Sequence, residues 1–317
     1  MTSYVIKSDI SEKQLEADVA SFLGWCSTGL PFKLVDVNEQ LTGADKRLDV
    51  AIPVYIQFKK STGLKQLPRA IGKTKASGKR RSNESKLQKV RRFRRDHMLS
   101  DDPSLYFQLR RKAETADDLQ HNVLLSHNRP GLSYAIYVAP TYLTRREFNE
   151  ELTKGPRFVN PWEMRQWSLH SDFAEMYWLS RYDRQPFLRN HVSITPHERV
   201  ANHNHYYAFS TAGDEVSWHS PEVLEGRHSR LSDFMSIRAR ELLSGEATSA
   251  PEEIIEHISE ITAGFAEVPI QQFLFGETPL EQLQSYGRWL NKSWGIRQIL
   301  LCANREDLSS LFLRTSY

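Results

Sequence analysis

The stretch Asp45 to Lys60, DKRLDVAIPVYIQFKK, constrains what this chain can fold into more than any other. Acidic residues lead into an apolar run, Pro53 interrupts that run, and a Gln-x-Lys pair, Gln57 and Lys59, closes it. We expect two extended segments joined by an apolar turn around Pro53. Residues two apart in a strand share a face, so Gln57 and Lys59 point the same way. Folding back through Ile52, Pro53 and Val54 places Asp49 opposite Gln57, where cross-strand neighbours sit about 4.5–5.5 Å apart. Asp45 shares the parity of Asp49 but lies four residues earlier, roughly 13 Å along a straight strand. One ion can therefore take Asp49 or Asp45, not both.

A carboxylate, an amide oxygen and a nearby ammonium are the minimum for hydrolysing a phosphodiester with a divalent cation. The cation makes water nucleophilic near neutral pH and stabilises the developing negative charge. Hard oxygen donors suit Mg²⁺ or Mn²⁺. The matching residues are Glu39, Gly43 and Asp45 in the run EQLTGAD, then Asp49, then Gln57, Phe58 and Lys59. On these residues the stretch resembles the PD-(D/E)xK nuclease superfamily, in a variant with Gln in place of the second acid. The resemblance covers about residues 10–150. It implies an α/β fold with a restriction-endonuclease-like core, a mixed sheet flanked by helices. It also implies metal binding by Asp49 or Asp45, the amide oxygen of Gln57 and the carbonyl of Phe58. Lys59 is then expected to orient the attacking water or neutralise the pentavalent phosphate. Glu39 or Glu16 is expected to restore the charge that a neutral Gln57 omits. The implied activity is a Mg²⁺-dependent endonuclease acting on DNA or RNA, with DNA the expected partner ahead of RNA, in defence against phage or plasmid DNA. The alternative is an adaptor that binds nucleic acid without cutting it, or a subunit of a larger defence complex.

Charge distribution supports a polyanionic partner. The 317 residues carry a formal net charge of +3, but residues 59–95 hold fifteen Lys or Arg and one acid, Glu84. Such a block favours nucleic acid through counterion release. We expect phosphate contacts from Lys60, Lys79, Arg80, Arg81, Arg91, Arg92, Arg94 and Arg95. Residues 73–86 read as a loop. KLQKVRRFRRDH reads as a basic helix lying along phosphates, with Leu87, Val90 and Phe93 at helical spacing.

Elsewhere the pattern alternates helix and strand. Ser11 and Gln14 suggest a capping box before a helix with Leu15, Val19, Phe22 and Leu23 on one stripe. Strands are expected at 32–38, 105–111 and 132–140, and helices at 117–128 and 144–152. Residues 1–155 are expected to form the nuclease-like core with a basic insertion at 60–95. Residues 156–317 are expected to form an accessory α+β half ending in helices. That half opens with interleaved aromatics (Phe158 to Phe187) and arginines, a candidate inter-domain seam or base-stacking surface. It continues with strands at 192–196, 205–210 and 215–221, helices at 231–243, 251–265 and 280–294, and a last short strand at 299–303. The C-terminal helices are expected to close its core or form a homodimer seam. His203, His205 and His219 lack a diagnostic metal spacing, and His121 reads as structural. Two distant cysteines, Cys26 and Cys302, no membrane-length apolar run and no basic-then-apolar leader point to a cytoplasmic chain.

Overall fold

The computed structural model describes residues 4–27, 32–36, 48–65, 85–99, 102–112, 116–153, 182, 185–219, 222–245, 249–266 and 270–306. The fold is α/β, with two six-stranded sheets and flanking helices. The strands are β1 (Val5–Ile6), β2 (Lys33–Asp36), β3 (Val50–Phe58), β4 (Thr62–Leu64), β5 (Ser104–Gln108), β6 (Tyr134–Pro140), β7 (His191–Ile194), β8 (Tyr206–Phe209), β9 (Ser217–Trp218), β10 (Glu222–Val223), β11 (His228–Arg230) and β12 (Arg297–Ala303). The α-helices of the described residues are α1 (Glu12–Ser27), α2 (Lys86–Asp96), α3 (Gln120–Ser126), α4 (Arg145–Thr153), α5 (Pro186–Arg189), α6 (Leu231–Ser244), α7 (Pro251–Thr262) and α8 (Pro279–Trp294). Among the described residues no helix is long and apolar enough to cross a membrane.

The first sheet runs β11-β7-β6-β3-β12-β2 and is mixed, with β3 and β6 parallel. The second runs β1-β4-β5-β8-β9-β10 and is antiparallel throughout. β3 lies near the middle of the mixed sheet, and all nine of its residues are buried. That explains its nearly unbroken apolar sequence, since a strand covered on both faces has no reason to alternate. Val50, Ile52, Val54, Ile56 and Phe58 pack with Leu15, Val19 and Leu23 of α1, and with Met235 and Leu242 of α6. Ala51 and Tyr55 face the other core, with Val123 of α3, Ile254 of α7, Leu283 and Tyr286 of α8, and Phe107, Tyr207 and Trp218 of the second sheet. The outer face of the second sheet is covered by α2, whose Val90 packs on Tyr206 and Ala208.

The turn expected at Ile52–Val54 is not formed. β3 runs straight through Pro53, which pairs with Leu300 of β12. A proline is tolerated this deep in a sheet only where no donor is required. The amide of Ala51 donates to the Ser249 carbonyl and that of Lys59 to the Val138 carbonyl, both on the side of β3 away from β12. Pro53 shares their parity, so its missing N–H falls on that side too. There it meets the gap between the Ser249 bridge and the first β6 rung at Val54–Tyr134.

The boundary expected near residue 155 does not divide the sheets. β12 inserts between β3 and β2, β7 pairs with β6, and β8 pairs with β5. The segment expected as a last short strand is thus a central one. The aromatic-rich residues 158–178 and their arginines lie outside the described residues. Tyr182 and Phe187 are buried in the core beside α1.

Local signals for several helices hold. Ser11 accepts from the Gln14 amide ahead of α1, and Thr144 from the Glu147 amide ahead of α4. α3 starts later than a cap at Asp117 or Asp118 would place it: Leu119 is its N-cap, with no side-chain cap bond, and Asp118 accepts from the Leu119 amide and from Asn122 instead.

Candidate active site

β3 leaves the mixed sheet at Phe58, and the chain enters the antiparallel sheet at Thr62. Lys59, Lys60 and Ser61 make this crossing. The Ser61 hydroxyl donates to the Pro140 carbonyl, tying the end of β3 to the end of β6. Gln57 and Lys59 therefore stand at a sheet end where two layers meet, on the same face as Tyr55, as the sequence spacing implies.

Both side chains are nearly closed to solvent, Gln57 at 6% and Lys59 at 5% exposure. The Gln57 amide nitrogen donates to the Phe58 carbonyl at 3.2 Å, while its buried Oε1 has no hydrogen-bond partner. A buried acceptor without a donor costs about 1–3 kcal/mol, so this oxygen suits a ligand that supplies positive charge. Lys59 Nζ donates to Gln120 Oε1 at 3.4 Å and lies 5.9 Å from the Tyr137 ring centre. Gln120, at the start of α3, is held from its other end because its Nε2 donates to the Trp294 carbonyl. Burial lowers the Lys59 pKa to about 8, with Glu12 opposing that shift and Arg110 adding to it.

The acidic partners differ from those expected. Asp49 lies just before β3, at the opposite end from Gln57. Eight residues of strand separate them, roughly 26 Å, because the fold-back that was to bring them together is absent. Asp49 Oδ1 instead accepts from the Arg305 amide at 2.7 Å. Glu39, Gly43 and Asp45 lie outside the described residues. Glu16 pairs with Arg297 at 3.0 Å, and Arg297 also binds Asp36, linking α1, β2 and β12. Arg297→Met is expected to cost about 2 kcal/mol, read from urea unfolding, by leaving two half-buried carboxylates uncompensated. The α1 acid nearest the lysine is Glu12, whose Oε1 accepts from the Lys60 amide at 3.3 Å. Four residues apart, Glu12 and Glu16 are equivalent on a helical wheel, and only the crossing after β3 selects between them.

The basic helix forms as expected, with a full capping box between Ser85 and Gln88. Two of its arginines are not available to phosphate in the way expected. Arg94 is 2% exposed and donates to the Ala208 carbonyl, the Glu215 carbonyl and the Ser217 hydroxyl. Arg91 is half-buried, donates to the Tyr4 carbonyl and lies over the Tyr4 ring. Lys60, Lys86, Lys89, Arg92 and Arg95 are exposed, Arg95 being paired with Asp96. Lys79, Arg80 and Arg81 lie outside the described residues.

The histidines take structural positions. His121 Nε2 donates to the Glu198 carbonyl, so its Nδ1 accepts from the Tyr137 hydroxyl. Burial pushes its pKa down to about 4, which keeps the ring neutral. His205 stacks on Trp218, and His219 lies against Tyr206. Among the described residues no three His, Cys, Asp or Glu side chains gather as a metal-holding group.

The chain matches no family model, no curated protein and no solved structure. The polar groups that meet at the end of β3 are Gln57, Lys59, Gln120 and Glu12.

Proposed function

We propose that this protein is a metal-dependent nuclease with a restriction-endonuclease-like core, and that its site is centred on Gln57 and Lys59. The observation that carries the reading is the orphaned, buried Oε1 of Gln57 on the same strand face as a buried lysine, at the end of a central strand. The donors fit a hard cation in kind. Gln57 Oε1 is an oxygen ligand in need of positive charge, and Glu12 is a carboxylate at the same sheet end. Asp49, at the far end of β3, does not belong to the set. Mg²⁺ or Mn²⁺, when bound, supplies an activated water and neutralises charge on the reacting phosphate.

The chain's own groups do the rest. Gln120 fixes the position of the Lys59 ammonium. That ammonium stabilises negative charge as the phosphorus becomes five-coordinate. The exposed cations of α2, together with Lys60, hold the polynucleotide. Gln57 and Lys59 are nearly covered. Acting as an ammonium, Lys59 makes cleavage fall as pH rises past about 8.

The test is incubation with plasmid, single-stranded DNA and RNA, in Mn²⁺ or EDTA. Cleavage in Mn²⁺ alone is expected, reduced at least about 100-fold in Lys59→Ala. Gln57→Glu is expected to bind the metal more tightly. Burial of Gln57 and Lys59 favours a second reading, an adaptor that binds without cutting, possessing the same fold. Retained binding with no cleavage in any divalent metal would establish the adaptor and end the nuclease reading. A role in defence against invading DNA, alone or with a partner protein, belongs to the same proposal. Co-purification with a second protein tests the partner.

A further inference from the structure

The antiparallel sheet and α2 do not close on one another completely. Residues paired directly across two strands share a face, so Ala208 of β8 and Ser217 of β9 point outward together. Tyr206 and His219 follow in the same register and on the same face, where the His219 amide donates to the Tyr206 carbonyl. Two small side chains therefore lie beside two rings on the face that α2 covers, and Val90 fills only part of the space above them. A cleft of about 200 Å³ is left, lined by Val90, Phe93, Tyr206, Ala208, Ser217 and His219. Arg94 fixes the helix beside it through the Ala208 and Glu215 carbonyls and the Ser217 hydroxyl. The rim is aromatic and basic. Phe93 and His219 are half-buried, so each keeps part of its ring in solvent. Phe93 lies against exposed His97, with ring centres 4.1 Å apart, and Tyr206 links His219 at 5.8 Å to half-buried Tyr106 at 5.9 Å. Lys89 and Lys86 stand one and two helical turns before Phe93, on the same side of α2. Burial lowers the His219 pKa, and His205, Lys89 and Lys86 lower it further, so both lysines are within electrostatic reach of that ring.

We infer that this cleft is a base-stacking subsite for single-stranded nucleic acid, with one base stacked on Phe93 and His219 at its mouth and the flanking phosphates held by Lys86 and Lys89. A ring face accepts any base, and a row of cations tracks the backbone, which is the combination that binds unpaired strands. A duplex hides its base faces and offers this cleft phosphate alone. Charge selects the occupant over an apolar peptide or a second copy of this chain. Lys86, Lys89, Arg92 and Arg95 are exposed on the helix that borders the cleft, and the one acid of that helix, Asp96, pairs with Arg95.

The subsite rests on the nucleic-acid half of the nuclease reading and adds which form of the strand is held. It fails separately, because binding is measured in EDTA, where nothing is cut. The full chain is titrated with a thymidine oligonucleotide carrying one fluorescent adenine analogue, with a backbone of the same length lacking bases, and with the matching duplex, at several salt concentrations. The single strand is expected to bind about tenfold or more tightly than the base-free backbone, with the analogue quenched on binding. Phe93→Leu and His219→Leu keep an apolar side chain in place, and each is expected to lose most of that preference with the salt dependence unchanged. Lys89→Ala is expected to weaken the strand and the base-free backbone equally and to lower the salt slope by about one. Unfolding temperature reports whether each variant folds; if Phe93→Leu does not, His219→Leu, at a half-exposed position, decides alone. Equal binding of the strand and the base-free backbone overturns the subsite whatever the cleavage assay gives. So does tighter binding of the duplex, or a folded leucine variant at either position that keeps the parent's preference. Base-dependent binding with no cleavage in any divalent metal keeps the subsite and removes the nuclease.

Discussion

Lys59→Met is expected to make the protein more stable at pH 7, because relief of about 3 kcal/mol of desolvation outweighs the roughly 1–3 kcal/mol of leaving Gln120 Oε1 without its donor, and, in the proposed nuclease, to abolish cleavage. Burial brings the folded-state pKa of Lys59 to about 8 from its ordinary value of 10.5. One pKa unit corresponds to about 1.4 kcal/mol, so the folded chain carries roughly 3 kcal/mol of cost from this ammonium. Methionine has a similar length and no charge, and removes that cost. Below pH 8 both folded and unfolded states hold the proton, and the penalty is complete. Between about pH 8 and 10.5 the folded state sheds the proton first, so the parent gains stability as pH rises and the advantage of methionine fades. Guanidinium unfolding at pH 7 and pH 10 measures both ends of this window. A destabilised methionine variant, or a difference that does not change with pH, would show that Lys59 is held for packing rather than for its charge. Residues kept at a cost to stability are the pattern expected of functional sites.

Arg94→Met is expected to act in the opposite sense, losing about 3 kcal/mol. Arg94 reaches from α2 through the outer face of the second sheet to two backbone carbonyls and a hydroxyl. Hydrogen bonds from a buried cation contribute more than neutral ones, and the acceptors left behind are themselves out of water. The neighbouring exposed Arg95 provides the contrast, and Arg95→Ala is expected to change stability by less than about 0.5 kcal/mol. Thermal unfolding of the two variants separates them. Under the proposed nucleic-acid reading, Arg94→Met is expected to lose affinity through loosening of α2, whereas Lys86→Ala or Lys89→Ala is expected to lower affinity and its salt dependence without unfolding the chain.

Much of the fold was legible because local signals and tertiary packing agree. The buried stripe of α1, the capping Ser11 and Thr144, and the apolar run of β6 each specify their element within a short window. The site was legible in part for the same reason: two-residue spacing alone puts Gln57 and Lys59 on one face. What was not legible depended on long-range pairing. A proline inside an apolar run signals a turn unless the position of every neighbouring strand is known, and the Ser249 bridge that makes Pro53 harmless is almost two hundred residues away. Arg91 and Arg94 sit in a run of arginines whose members look alike in sequence, and only the docking of α2 turns these two inward. Glu12 and Arg110 carried no signal beyond being charged residues beside an element end.

The position of β12 has a consequence for how the protein comes into being. It is the last described strand to be synthesised, yet it separates β2 from β3. A nascent chain on the ribosome therefore carries β3 with one open edge until residues 297–303 have emerged, and a message cut short leaves that edge permanently bare. Under this arrangement the end of β3 that bears Gln57 is framed only once residues 297–303 have joined the sheet.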